Sequence, residues 1–196
     1  MSDVDAAVLL VGVGYLAGSI PFGVLVTRWL TGLDVRAAGS GNIGATNVAR
    51  VAGKKLGVLV LALDAAKGAL PVLLSIHLTD LRWVHAATGL AAFLGHVFPV
   101  WLRFRGGKGV ATALGALAVL VPDAAVVGAL VYALLFALFR VSSIGSLAGG
   151  ISALVVTWVR ARPLEYQVLT AVLFALILYT HRGNIGRILK RTERSV

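Results

Sequence analysis

Three stretches of the chain combine the residue types that hold phosphate. The first is Gly39-Ser40-Gly41-Asn42-Ile43-Gly44-Ala45-Thr46-Asn47-Val48-Ala49-Arg50. Its glycines let backbone N–H groups turn toward an anion, and a helix starting behind them adds a positive dipole end. Ser40, Asn42, Thr46 and Asn47 add neutral donors, and Arg50 adds a guanidinium fork. The second stretch is Gly95-His96-Val97-Phe98-Pro99 followed by Arg103-Phe104-Arg105-Gly106-Gly107-Lys108-Gly109-Val110-Ala111-Thr112. A Gly-Gly-Lys-Gly turn that opens a short helix is a phosphate cradle. The third is His181-Arg182-Gly183-Asn184-Ile185-Gly186-Arg187, ending at Glu193. His181 is expected at a helix C-terminus, where the dipole favours its charged form. Ser142-Ser143-Ile144-Gly145-Ser146 adds hydroxyls, which alone read as a helix cap.

Several chemistries are excluded by what is missing. Gly39, Gly41 and Gly44 spell G-x-G-x-x-G, but an apolar run precedes them where a dinucleotide site needs a strand. A P-loop needs a glycine five residues before its Gly-Lys pair, and Leu102 stands there. The absence of cysteine removes thiolate zinc sites, iron–sulfur clusters and cysteine nucleophiles. Asp34, Asp64 and Glu193 are isolated in sequence, so no metal is expected. The H-x-x-x-x-D box of coenzyme A-dependent glycerolipid acyltransferases is absent: five residues after His77, His85, His96 and His181 stand Arg82, Leu90, Trp101 and Gly186. The Asp-rich motif of CDP-alcohol phosphotransferases is also missing.

The elements that must carry these stretches are membrane spans. Hydrophobic residues make up 59% of the 196 and charged residues 13%, with a mean hydropathy of +0.93. A soluble domain of this size has too much surface to bury that much apolar side chain. A bilayer core of about 30 Å needs about 20 apolar helical residues. Apolar runs lie at Ala6–Leu30, interrupted by Pro21, then Leu56–Leu78 and Trp83–Leu102. A long run is divided by Pro122-Asp123 into Val110–Val121, short enough to be partial or re-entrant, and Ala124–Phe139. Ile144–Val159 and Tyr166–Thr180 complete an expected seven. The fold class is therefore an all-α, polytopic membrane domain covering 1–196.

Lys and Arg number 18 against 8 Asp and Glu. The basic residues lie in short loops between apolar runs, so nucleic acid is not expected as a partner; membrane topology and an anionic substrate are. Fourteen fall on one side and three, Arg82, Arg160 and Arg162, on the other. By the positive-inside rule the first side is cytoplasmic, with the N-terminus outside and the C-terminus inside. The acidic start, with Asp3 and Asp5, agrees and argues against a cleaved signal peptide. All the phosphate-type stretches then fall on the cytoplasmic face. Asp64 and Lys67 sit within a span at a spacing of three, on one helix face, where they are expected to pair and to anchor a motif loop; a proton relay is the other reading. Gly14/Gly18 and Gly145/Gly149 are small-residue pairs suited to close helix packing.

An anion transporter would also use basic residues and broken helices, but near the midplane and within inverted repeats, which are not seen here. A lipid-binding scaffold would not need the Gly/Asn/Ser spacing. Taken together, Ser40-Gly-Asn-x-Gly-x-Thr-Asn-x-x-Arg50, Gly95-His-x-Phe-Pro with Gly107-Lys-Gly-x-Ala-Thr112, and His181-x-x-Asn-Ile-x-Arg187 with Glu193 resemble the three motifs of the PlsY family. These are bacterial integral-membrane acyl-phosphate:glycerol-3-phosphate acyltransferases. Asp64-x-x-Lys67-Gly68 and Ser143-x-Gly-Ser146 also match, in order along nearly the whole chain. Trp101 departs from a more usual phenylalanine, and Arg191 or Thr192 replaces a glycine before the final glutamate.

The resemblance implies transfer of a fatty acyl group from acyl phosphate to the sn-1 hydroxyl of glycerol 3-phosphate, with no cofactor and no metal. The products are 1-acylglycerol 3-phosphate and phosphate. It implies catalytic roles for Ser40, Arg50, Lys108, His181 and Asn184, with Arg50, Lys108, His181 and Asn184 holding glycerol 3-phosphate and Ser40 close by. Gly41, Asn42, Gly44 and Thr46 would bind the acyl-phosphate head, and Ser143 and Ser146 would complete the polar wall. Asn47, Gly106, Gly107, Gly109 and Arg187 are further substrate-binding candidates; Asp64, Lys67, His96 and Glu193 are structural candidates. The proton acceptor is left between His181 and a substrate phosphate oxygen. Partners implied are the two substrates, membrane lipid of the bacterial inner membrane, and the enzyme that makes acyl phosphate.

Overall fold

The computed structural model describes residues 3–193 and 195. The described residues are helical, without strands, and run α1 (Asp3–Ser19), α2 (Phe22–Thr31), α3 (Ala45–Ala52), α4 (Lys54–Leu78), α5 (Arg82–Val97), α6 (Val110–Leu120), α7 (Pro122–Phe139), α8 (Ser142–Val159), α9 (Leu164–Thr180) and α10 (Arg182–Leu189). Five segments are long and apolar enough to cross a membrane, counting α1 with α2 as one. A sixth arises if α9 and α10, bent by 60°, form one span, and α6 is a shorter apolar helix. Every expected apolar run thus contains a helix or a pair of helices. Arg194, counted above among the basic loops, lies outside the described residues.

Prolines set the boundaries. Pro21 has no N–H to continue α1 and separates it from α2. Pro122 occupies the first turn of α7, where a missing N–H costs nothing. The third apolar run is helical only to Val97; Pro99 follows, and a single 3-10 turn covers Val100–Leu102.

The chain forms two compact units, Met1–Ala116 and Leu117–Val196. In the first, α1 packs along α5, and α4 packs against α1, α3 and α5. The α1–α5 contact is close because its residues are small. A Cβ at Gly14 would come within 2.7 Å of the Thr88 carbonyl oxygen, and one at Gly18 would collide with the backbone of Ala92. Gly95 meets Tyr15 and Ser19 from the other helix. In the second unit, α8 packs between α7 and α9. Gly128 and Gly149 face one another's carbonyl groups, and Gly145 packs on Tyr132. With little hydrophobic force between helices in lipid, such close backbone approach is what holds them together. The start of α7 is also tied to the far end of α8 by an ion pair, Arg162 Nη2 to Asp123 Oδ2 at 2.7 Å, with Arg160 Nε at 3.5 Å.

Candidate active site

In the first unit, the loop between α2 and α3 is shaped from within. Gly39 and Gly41 adopt left-handed backbone, with φ of 63° and 72°. Asn47 is 2% exposed and acts as the loop's hub. Its Oδ1 accepts the Ser40 N–H at 2.8 Å, and its Nδ2 donates to the carbonyls of Val35, Ala38 and Asn42 at 3.1, 3.1 and 2.9 Å. Asn42 Oδ1 accepts the Gly44 N–H at 2.9 Å, just before α3 begins. Ser40 and Gly41 are left exposed, while Thr46 and Arg50 are half-buried on α3. Upstream, Asp34 accepts from Arg36 Nε and Nη2 at 2.9 and 2.6 Å. These side-chain bonds, with the Arg36 backbone N–H, hold the Asp34 carboxyl down to about 2.

The glycine loop follows α5. Gly106 and Gly107 donate their N–H groups to the carbonyls of Val97 and His96, at 3.0 and 3.1 Å. Gly109 has φ of 80°, and a side chain there would enter the ring of Phe93, which is fully buried. Lys108 is half-buried between these fixed glycines, and α6 begins one residue after Gly109. Inside the helices nearby, Lys67 Nζ lies 2.8 Å from Asp64 Oδ1, the pairing expected from their spacing.

In the second unit, Ser143, Ser146, His181 and Asn184 are all buried. His181 caps α9 and starts α10. Its ring Nδ1 lies 2.9 Å from the Ile177 carbonyl oxygen. A carbonyl only accepts, so Nδ1 carries the hydrogen and donates it, and in the neutral ring the basic lone pair is on Nε2. Ser146 Oγ donates to the Ser142 carbonyl at 2.9 Å. Glu193 gathers three donors: Ser143 Oγ at 3.0 Å, Asn184 Nδ2, and Arg187 Nε at 2.6 Å. Partial burial pushes the Glu193 carboxyl up, but the bonds from Asn184, Arg187 and Ser143 outweigh it and leave it below the usual glutamate range. Nothing in the sequence pointed from Glu193 to Ser143, 50 residues earlier.

The structure therefore gathers Ser40, Asn42, Gly44 and Asn47 into one loop, and Ser143, Asn184, Arg187 and Glu193 into one cluster. No group of three or more His, Asp or Glu among the described residues is arranged to hold a metal ion. The residue types present are those that grip phosphate and offer a base.

A family model described as glycerol-3-phosphate acyltransferase matches residues 8–191. The chain belongs to the glycerol-3-phosphate acyltransferase family. A glycerol-3-phosphate acyltransferase of Myxococcus xanthus strain DK1622 is 66% identical over 186 residues, covering 94% of this chain and 97% of that one. Two solved structures are of PlsY, an integral membrane glycerol 3-phosphate acyltransferase, at 44% identity. The glycerol 3-phosphate form superposes with a TM-score of 0.93, over 97% of this chain and 95% of that one. The lysophosphatidic acid form gives 0.91, over 96% and 94%. Phospholipid biosynthesis follows from membership of this acyltransferase family, and the polytopic all-α fold read from the apolar runs is the fold of PlsY.

Proposed function

We propose that the chain transfers a fatty acyl group from acyl phosphate to the sn-1 hydroxyl of glycerol 3-phosphate, releasing 1-acylglycerol 3-phosphate and inorganic phosphate. The observation that carries this reading is the match, along nearly the full chain, to an acyltransferase seen in a glycerol 3-phosphate form and a lysophosphatidic acid form. Those two molecules are the acceptor and product of the proposed reaction. The donor class is supported by chemistry. An acyl phosphate is a mixed anhydride with phosphate as leaving group, so no covalent enzyme intermediate is required, and positioning with electrostatic stabilisation supplies the rate.

In this reading the acceptor hydroxyl oxygen attacks the acyl carbonyl carbon, and the bond from that carbon to the phosphate oxygen breaks. Phosphate leaves with the electron pair, and His181 Nε2 takes the hydroxyl proton. The Nδ1 bond to Ile177 supports that role by fixing which nitrogen is basic. Arg50, Lys108 and Asn184 hold the acceptor phosphate with Ser40 close by, and Arg187 adds charge. Gly41, Asn42, Gly44 and Thr46 receive the acyl-phosphate head, with Gly106, Gly107 and Gly109 shaping the cradle and Ser143 and Ser146 its wall. Asn47 serves by shaping the loop from inside. One acyltransferase domain, 1–196, works in the bacterial inner membrane with its site toward the cytoplasm, beside an enzyme that supplies acyl phosphate.

Purified protein supplied with labelled glycerol 3-phosphate and palmitoyl phosphate should form labelled 1-acylglycerol 3-phosphate and release phosphate. Solute flux into liposomes without acyl transfer would replace this reading with transport. Arg50→Ala should lower kcat/KM by about 100-fold or more; unaltered kinetics would discard its role. The pH–rate profile of His181→Gln decides the proton acceptor. Substantial turnover with an unchanged profile would move that role to a substrate phosphate oxygen.

A further inference from the structure

Asp64, Lys67 and His96 are each about 95% or more buried, and none of them belongs to the substrate-contact set above. They form a chain of contacts. Lys67 Nζ lies 2.8 Å from Asp64 Oδ1 and donates at 2.8 Å to the Ile20 carbonyl, at the break between α1 and α2. That oxygen lacks the helical donor four residues on, because the Val24 N–H bonds to Pro21; its backbone partner is the Phe22 N–H at 3.1 Å. The Phe22 ring lies 5.7 Å from the same ammonium. Facing the same carboxylate oxygen, His96 Nδ1 stands 3.6 Å from Asp64 Oδ1. The opposite ring edge faces the glycine loop: a Cβ built on Gly107 would strike His96 Nε2 before anything else. The His96 carbonyl accepts the Gly107 N–H as well.

The other end of the loop is seated on the same turn of α4. A side chain at Gly68 would collide with the backbone of Thr112, and one at Gly115 with that of Ala65. The first two turns of α6 thus lie against the stretch of α4 that carries Asp64 and Lys67. A carboxylate and an ammonium in this setting are costly to bury and are worth little as stabilisers compared with an apolar pair of the same shape. Their placement instead sets the carboxylate beside the His96 ring, and that ring lies against the glycine loop.

We infer that Asp64 is a positioning residue, which, through the His96 ring, sets the backbone of Gly106–Gly109 and so the reach of Lys108. The inference rests on the reading that Lys108 holds the acceptor phosphate. Loss of the Asp64 charge should loosen that loop and raise KM for glycerol 3-phosphate by about 10- to 100-fold, with KM for acyl phosphate altered much less.

The test uses the purified full-length protein. Asp64→Asn alone leaves an uncompensated buried ammonium, so Asp64→Asn/Lys67→Met is measured beside it; this pair removes both charges. His96→Asn keeps a polar side chain beside Asp64 and removes the ring beneath Gly107. The selective rise in KM for glycerol 3-phosphate is expected in the double variant even when its thermal midpoint matches the parent, and again in His96→Asn. Recovery of parental KM in the double variant, or parental KM in His96→Asn, would overturn the inference and leave the three residues as structural filling. Lys108→Ala separates this from the parent reading. If Lys108→Ala leaves KM for glycerol 3-phosphate untouched, the acceptor assignment itself is wrong. If it raises KM while the other variants behave as the parent, only the positioning role is lost.

Discussion

Asn47 and Glu193 illustrate what single side chains contribute here. Asn47 uses both ends of its amide to hold four backbone groups of the α2–α3 loop. Asn47→Ala leaves the Ser40 N–H and three carbonyls without that partner, and should cost about 1–3 kcal/mol of stability, read as a lower midpoint in a denaturation series. Asn47→Asp should fail similarly, because a carboxylate cannot donate to those carbonyls. Glu193 gives a pH signature. Its folded carboxyl titrates below the ordinary 4.5, so its contribution is complete above that value and is lost as pH falls through the lower folded value. Thermal midpoints of the parent should therefore fall between pH 5 and pH 3 more steeply than those of Glu193→Gln. Identical slopes would show that the carboxylate is not held as described. The sequence made the Asp64–Lys67 pair legible, because residues three apart on a helix must share a face. It could not do the same for Glu193, whose partners include one 50 residues away with no period to reveal it. Nor could spacing distinguish Asn47, which shapes its loop, from Asn42 or Thr46 beside it.

At the level of helices, most of the architecture was readable, because length, hydropathy and proline act locally. Pro21 and Pro122 mark breaks that the structure places at the same points. The separate, polar α10 was not anticipated: eight residues with glycines at both Gly183 and Gly186 carry too little apolar period to announce a helix. Packing between helices makes contrasting predictions for glycines. Gly18→Ala should force α1 away from Ala92 on α5 and destabilise by about 1–3 kcal/mol. Gly12→Ala, in the same helix but with nothing within 4 Å of the added methyl, should be neutral or slightly stabilising. Equal effects at the two positions in detergent unfolding assays would show that close approach is not what these helices need. In the second unit, Asp123→Asn should loosen the start of α7 by releasing Arg160 and Arg162. Faster proteolysis in the α8–α9 connection would report it.

For the whole chain, the seven expected apolar runs imply an odd number of crossings, and the charge asymmetry puts the N-terminus outside. The absence of native cysteine makes this directly testable. In intact spheroplasts an impermeant maleimide should label Asp3→Cys and spare Ser195→Cys; labelling of both or neither would put the termini on one side and overturn the odd count, and the opposite pattern would reverse the orientation. Assembly is constrained by the nick at Ile20, whose oxygen receives its ammonium from a residue 47 positions later. As the ribosome delivers this chain to the membrane, the first hydrophobic segment enters oil with that oxygen held by the Phe22 N–H alone, before Lys67 has been added. It should remain loosely inserted, and open to labelling near position 20, in arrested nascent chains that end before Lys67, and become protected once α4 has emerged. The first span of this enzyme, with its break at Ile20, is therefore a provisional structure, completed in the membrane only by a helix synthesised after it.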